Sequence, residues 1–325
     1  MASYIKCGQL FCAKDDAVLK DMAVVIEGNR IIEVAPMAKC PPREGQEVID
    51  LSGKFVMPGL IDAHLHTGMS GEPDTTECMY YQRDGELALI SMLNAQQDLL
   101  AGFTTVRDEG SFHFIALALK KMIDSGRVFG PRMFVSGVPL SSTGGHGDSH
   151  FKPGITGGSM AFIVNSPDEC RAATRTNIKY GVDQIKLMAT GGVMSMGDEP
   201  GAPELTYEEM KVICDLAASH GKLTTAHAHG AEGIKNAIRA GITSIEHGMM
   251  IDEPFTYNYG VTSDSAWCSG VAAITPDKEY FASYPFPCTL KLTYTLTASG
   301  LRLDYKVTND GEETLPYGFA IHPYF

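Results

Sequence analysis

Two histidines alternate at positions 64 and 66 in "DAHLHTG", where the apolar run "KFVMPGLI" ends. In a strand, residues i and i+2 share a face, so both imidazoles project together. Imidazole suits zinc and related metals. "QIKLMATGG" sets Lys186 inside an apolar strand, ahead of a glycine pair. A buried amine tends to lose its charge. Once neutral it can add CO2 and release a proton, and the resulting carbamate carries oxygen ligands able to bridge metal ions. "TTAHAHG" puts His227 and His229 on one face of another strand end, and "SIEHG" puts His247 at the end of the next. Each feature is ordinary alone. Together they are ligands at the ends of separate strands, and such residues meet if the strands roll into a barrel.

The elements that would position them are legible from periodicity. Residues 1–57 alternate in short bursts ("SYIKCGQLFC", "MAVVIEGNRIIEVA", "EVIDLSGKFV"), with "EGNR" as a hairpin turn. This reads as a small β module. Over 58–252, apolar strands ("GLIDAH", "FTTV", "RMFVSG", "DQIKLMA", "KLTTAHA", "ITSIEH") alternate with amphipathic helical stretches, several closed by glycine. That alternation predicts a parallel sheet and a (β/α) barrel of TIM type. A full barrel has eight such units, and this stretch supplies about six. Beyond a boundary near residue 253, "TLKLTYTL" and "LRLDYKV" alternate strictly, as in an antiparallel hairpin. The fold class is therefore α/β: an incomplete (β/α)8 barrel after an N-terminal β module, followed by an antiparallel β fragment over 253–325.

The 325 residues carry a net charge of −13, which argues against nucleic acid and anionic membrane as partners. No apolar run approaches the roughly 20 residues of a bilayer span, and the N-terminus has no signal-peptide core. Eight cysteines are scattered without a C-x-x-C pair. They read as reduced thiols of a cytoplasmic protein.

Six motifs, "VMPGLIDAHLHTG", "GFTTVRDEG", "GGHGD", "QIKLMATGGV", "AHAHG" and "IEHG", occur in the order and spacing of a known superfamily. Through them residues 1–252 resemble the amidohydrolases, especially the imidazolonepropionase-like and Xaa-Pro or Xaa-Arg dipeptidase branch. The resemblance implies a β-sandwich built partly from the N-terminal module. It also implies two zinc ions, one on His64 and His66 and one on His227 and His247, bridged by carboxylated Lys186. His146 and His229 would contact the substrate, often its carboxylate. The reaction implied is metal-assisted hydrolysis of a C–N bond in an amide, lactam or dipeptide. In that superfamily an aspartate ending the eighth strand binds metal and carries a proton. No residue of this chain takes that role, since Asp252 and Asp264 lie too near the sixth strand. An inactive chain is one expectation, and an open six-stranded sheet favours rescue by another copy as a homo-oligomer.

Residues 262–325, above all "GFAIHPYF", resemble part of the aldose 1-epimerase (galactose mutarotase) family. His322 matches that family's proton-donating histidine, while its carboxylate base has no match. The alternative functions are thus a sugar-binding or isomerase-like fragment, or a non-catalytic chimeric chain joined near residue 253. Among the remaining residues, Arg107 and Asp108 read as a local salt bridge, His113 as structural at a helix start, and His150 and His220 as surface residues. "GGVMSMG" reads as a loop over the active site, and Tyr317 and Phe319 as packing residues.

Overall fold

The computed structural model describes residues 2–14, 17–71, 81–149, 158–195, 197–250, 256–262, 265–276, 287–297 and 300–313. His322, His150, Asp252, Asp264, Cys78, Tyr317 and Phe319 lie outside the described residues. The chain divides into two compact units, Met1–Leu60 and Ile61–Phe325.

The first unit is one four-stranded sheet of β1 (Ala2–Phe11), β2 (Val18–Glu27), β3 (Arg30–Pro36) and β4 (Glu47–Val56), in the order β3-β2-β1-β4. β1 runs antiparallel to β2 and parallel to β4. The β2–β3 hairpin turns between Glu27 and Arg30, where Gly28 supplies a φ of 60°. Strand alternation buries Tyr4, Ala23 and Val25 in one cluster and Leu10, Met22 and Val24 in another.

The second unit begins with β5 (Leu60–Leu65), α1 (Asp84–Leu100), β6 (Phe103–Asp108), α2 (Ile115–Asp124) and β7 (Arg132–Val135). Two short strands the sequence did not announce follow, β8 (Leu140–Ser141) and β9 (Phe162–Ile163). Then come α3 (Pro167–Tyr180), β10 (Gln184–Met188), α4 (Tyr207–Ser219), β11 (Leu223–Gly230), α5 (Ala231–Ala240) and β12 (Ser244–Met250). Local signals explain the helix limits. Ser166 caps α3 ahead of Pro167, Thr206 and Glu209 form a capping box on α4, and Gly181 and Gly241 end α3 and α5 with φ of 88° and 99°.

The strands form two sheets, β5-β6-β7 and β12-β11-β10-β8-β9. The Asp183 N–H donates to the Val135 carbonyl at 2.9 Å, so the wall passes from β7 to β10. Among the described residues no ladder joins β12 to β5, and the parallel strands form an arc rather than a closed barrel. Its ends leave Ile61, Met249 and Met250 exposed. Between sheet and helices lies a core of Leu140, Ile185, Leu187, Ile213, Ala226, Ala228 and Ile234 with their neighbours. Val106, Leu117, Met133 and Val135 make a second core against α1 and α2.

Residues beyond the arc form an antiparallel meander, β13 (Thr256–Val261), β14 (Ser265–Ile274), β15 (Cys288–Thr297) and β16 (Gly300–Asn309). β15 and β16 are the strands read from alternation, paired as Leu292 with Tyr305 and Tyr294 with Leu303. Among the described residues no helix is long and apolar enough to cross a membrane. Cys7, Cys12, Cys40, Cys170, Cys214 and Cys288 are free thiols.

Candidate active site

Strand alternation decides which side chains face the inside of the arc. In β10, Ile185 and Leu187 join the helix-side core, so Gln184 and Lys186 point the other way. In β11, Ala226 and Ala228 join that core, and Thr225, His227 and His229 face inward. Ser244 and Glu246 do the same in β12, which would turn His247 outward. The backbone overrides this. His247 has φ 74° and Gly248 φ 61°, and the β11–β12 register slips just past His247. A left-handed conformation is uncommon for a non-glycine residue and concentrates at functional sites. Here it brings the His247 ring centroid to 4.5 Å from His227, 5.0 Å from His64 and 5.0 Å from His229.

The rest of the cluster follows. The His64 and His66 rings lie 5.4 Å apart, those of His227 and His229 4.6 Å apart, and His146 stacks on His227 at 4.2 Å. Lys186 is 1% exposed. Burial pushes its amine down, against the opposing pull of Glu109 and Glu246. Its charge acts on both His146 and His227. Burial first, then neighbouring cations, hold His227 well below the usual imidazole range, and burial also lowers His229. The structure thus brings His64, His66, His146, Lys186, His227, His229 and His247 together.

Carboxylates that sequence reasoning passed over support this cluster. Glu246 accepts from His64 Nδ1 at 2.8 Å, Arg107 Nη2 at 2.8 Å and Ser244 Oγ at 2.6 Å. Glu109 is fully buried and accepts from Gln184 Nε2 at 3.0 Å and Thr225 Oγ1 at 2.5 Å. It also pairs with Arg107 Nε at 2.8 Å and lies 3.9 Å from Lys186 Nζ. The expected Arg107–Asp108 bridge is absent because consecutive strand residues face opposite ways. Asp108 instead accepts from the Thr67 N–H and hydroxyl and the Gly110 N–H. His113 does not open a helix. It sits in a 3-10 turn at φ 45° and donates to Asp84 at the start of α1. The signal available in sequence was spacing: Glu109 is two residues from Arg107, and Glu246 two from Ser244.

The donor set suits a divalent metal. His64 Nδ1 donates to Glu246 and His66 Nδ1 to the Gly110 carbonyl at 3.0 Å, which places each lone pair on Nε2. His227 Nε2 donates to the Gly191 carbonyl at 3.2 Å, which places its lone pair on Nδ1. Among the described residues, both ring nitrogens of His229 are buried without a hydrogen-bond partner, a costly state that a ligand would relieve. Among the described residues no three His, Cys, Asp or Glu side chains close on one point as they stand.

Glu204 anchors the loop that carries His146. It accepts from Ser141 Oγ at 2.5 Å, the Ser142 N–H at 2.8 Å and the His146 N–H at 2.9 Å. Burial nevertheless pushes its carboxyl up to about 7. Asp108, also buried, is raised to about 6. Folded chain binds these protons more tightly than unfolded chain. The associated stability is therefore complete below about pH 4.5 and lost as pH rises through about 7, on the order of 3 kcal/mol for Glu204. Urea unfolding midpoints should fall between pH 5 and pH 8, and Glu204→Gln should flatten the fall. A midpoint that rises over this range would contradict the assignment.

The model of the Amidohydrolase family matches residues 55–257, and that of Aldose 1-epimerase matches residues 246–325. Ochratoxinase of Aspergillus niger is 32% identical over 264 residues, covering 74% of this chain and 53% of its own length. Imidazolonepropionase of Pseudomonas aeruginosa is 40% identical over 55 residues, 17% of this chain and 14% of that one. Among solved structures, a Xaa-Pro dipeptidase with methionine bound in its active site superimposes with a TM-score of 0.68 at 33% identity, covering 76% of this chain and 62% of that one. The chain spans about half the length of the ochratoxinase it matches.

Proposed function

The chain belongs to the amidohydrolase family, and from that premise we propose that it is a metal-dependent hydrolase of C–N bonds in small amides, lactams or dipeptides. The family generally uses divalent metals. His64 and His66 would hold one zinc ion, His227 and His247 would hold a second, and Lys186, as its carbamate, would supply a ligand shared by both. Bound there, the ions would polarise the scissile carbonyl and acidify the attacking water.

The chain's own groups prepare that chemistry. Burial pushes the Lys186 amine down, toward the neutral form that is nucleophilic toward CO2. In that addition a C–N bond would form, an electron pair would move onto oxygen, and one N–H proton of the former amine would leave to solvent. Glu246 fixes the ring and tautomer of His64, while Arg107 ties Glu246 to Glu109. His146 and His229 contact the substrate. The observation that carries the reading is the gathering of imidazoles from three strands around one buried lysine. Similarity to an ochratoxinase and a Xaa-Pro dipeptidase supports the amide class.

Purified chain should hold about two zinc-type ions. It should hydrolyse dipeptides or N-acyl amino acids, lose that activity to a chelator and regain it with zinc. Hydrolysis indifferent to chelation would overturn metal dependence, and metal-loaded chain without turnover would overturn the hydrolase reading. The match of residues 246–325 to aldose 1-epimerase favours a second reading, sugar binding or isomerisation by the tail. Mutarotation of galactose that disappears in His322→Ala would carry it.

A further inference from the structure

A cleft of about 300 Å3, its open mouth included, lies between the end of β5, the first turns of α1 and the turn from β6 to α2. His66 forms one side, so the cleft adjoins an imidazole assigned above to metal. The enclosed part is little larger than one water molecule. Met69, Leu87, Phe112, Ile115 and Met160 make its walls apolar, and among the described residues no Asp, Glu, Lys or Arg lines it. A charged group would therefore lose its hydration there without gaining a counter-ion.

One polar atom in this cleft is unpaired. Leu87 and Ser91 stand four residues apart on the buried face of α1. A helical serine can return its proton to the carbonyl four residues back, but among the described residues Ser91 Oγ has no hydrogen-bond partner, at 0% exposure. Such an orphan costs stability. The other hydroxyl in the lining is engaged, since Ser111 Oγ accepts from the Ala116 N–H at 3.2 Å. Gly68 keeps Ser91 approachable: a Cβ there would lie 3.7 Å from Ser91 Oγ, within van der Waals contact.

We infer that this cleft is a specificity pocket for a neutral, unbranched substrate side chain, and that Ser91 donates its hydroxyl proton to one acceptor atom within that chain. This rests on the amide-hydrolase reading. The narrow enclosed end favours a single file of atoms over a ring, the walls exclude charge, and the orphan hydroxyl gains the partner it lacks.

Three N-acetyl amino acids of equal side-chain length test it on full-length chain: norleucine, O-ethylserine and O-methylhomoserine, which carry a methylene or an oxygen at γ or δ. One of the two ethers should exceed norleucine in kcat/KM by up to about tenfold, the worth of one hydrogen bond. The phenylalanine and glutamate derivatives should fall below norleucine. In Ser91→Ala the preferred ether should drop below norleucine, because its oxygen is buried without a donor. The same variant should denature at a higher temperature, since it removes the orphan and alanine favours a helix. Gly68→Ala, which narrows the approach, should lower kcat/KM more for the norleucine than for the alanine derivative. Both ethers below norleucine in unmodified chain, or an unchanged ratio in Ser91→Ala, overturns the Ser91 contact. Phenylalanine accepted as well as norleucine overturns the unbranched pocket, and a lowered denaturation midpoint in Ser91→Ala shows that the hydroxyl already has a partner. If no amide is hydrolysed, the amide reading fails, and calorimetric binding of the same compounds to unmodified and Ser91→Ala chain decides the pocket by the same order.

Discussion

Lys186→Met chain should retain its fold and lose its hydrolytic activity by more than about a hundredfold, together with most of its bound metal. The size follows from removing a group at which reaction charge is stabilised. Methionine keeps an unbranched side chain of similar length, so the site stays filled. The change also removes an amine whose charged form is costly at 1% exposure. Glu109 loses a cation 3.9 Å away but keeps Arg107 Nε at 2.8 Å, Gln184 Nε2 at 3.0 Å and Thr225 Oγ1 at 2.5 Å. That is enough to keep the carboxylate satisfied. Metal content by elemental analysis, turnover and thermal denaturation on one preparation separate the effects. Turnover within tenfold of the parent would sink the carbamate role, and a collapsed denaturation midpoint would make Lys186 a structural residue.

Glu246 divides into two substitutions with different consequences. Glu246→Ala leaves Arg107 Nη2, His64 Nδ1 and Ser244 Oγ without their shared acceptor in a buried setting. Breaking such a buried charged pair costs about 3–5 kcal/mol, which denaturation will register as a lowered midpoint. Glu246→Gln fills the same volume and still offers Arg107 a carbonyl oxygen. Its amide nitrogen, however, donates toward His64 Nδ1, where the carboxylate accepted. His64 must then carry its proton on Nε2, the atom proposed for metal. Zinc affinity measured by chelator competition should fall about 10–100-fold, as for loss of other partners of ligating histidines, with stability largely kept. Unchanged affinity in Glu246→Gln would show that the 2.8 Å contact shapes the fold but not the metal site.

Much of this arrangement was legible in the sequence because it depends on short-range periodicity. The strands that became β5, β6, β7, β10, β11 and β12 were visible as apolar runs, and the helices between them by their period and their glycine ends. The histidine pairs at 64/66 and 227/229 and the lysine within "QIKLMA" were visible for the same reason, since i and i+2 share a face. These are properties of neighbours along the chain.

Partnerships across the chain were not legible. His64 and Glu246 are 182 residues apart, and Glu109 and Thr225 are 116 apart. No local pattern distinguishes those carboxylates from exposed ones. The inward turn of His247 was hidden as well, because alternation predicts the opposite face and a left-handed backbone reverses it. Arg107 and Asp108 were misread as a pair for the complementary reason, that adjacency in a strand separates side chains. By itself, then, the sequence determined which residue types stand at the strand ends. Tertiary structure alone decided which carboxylate meets which cation and where each imidazole keeps its proton, because hydrogen-bond direction is set by the partner that packing delivers.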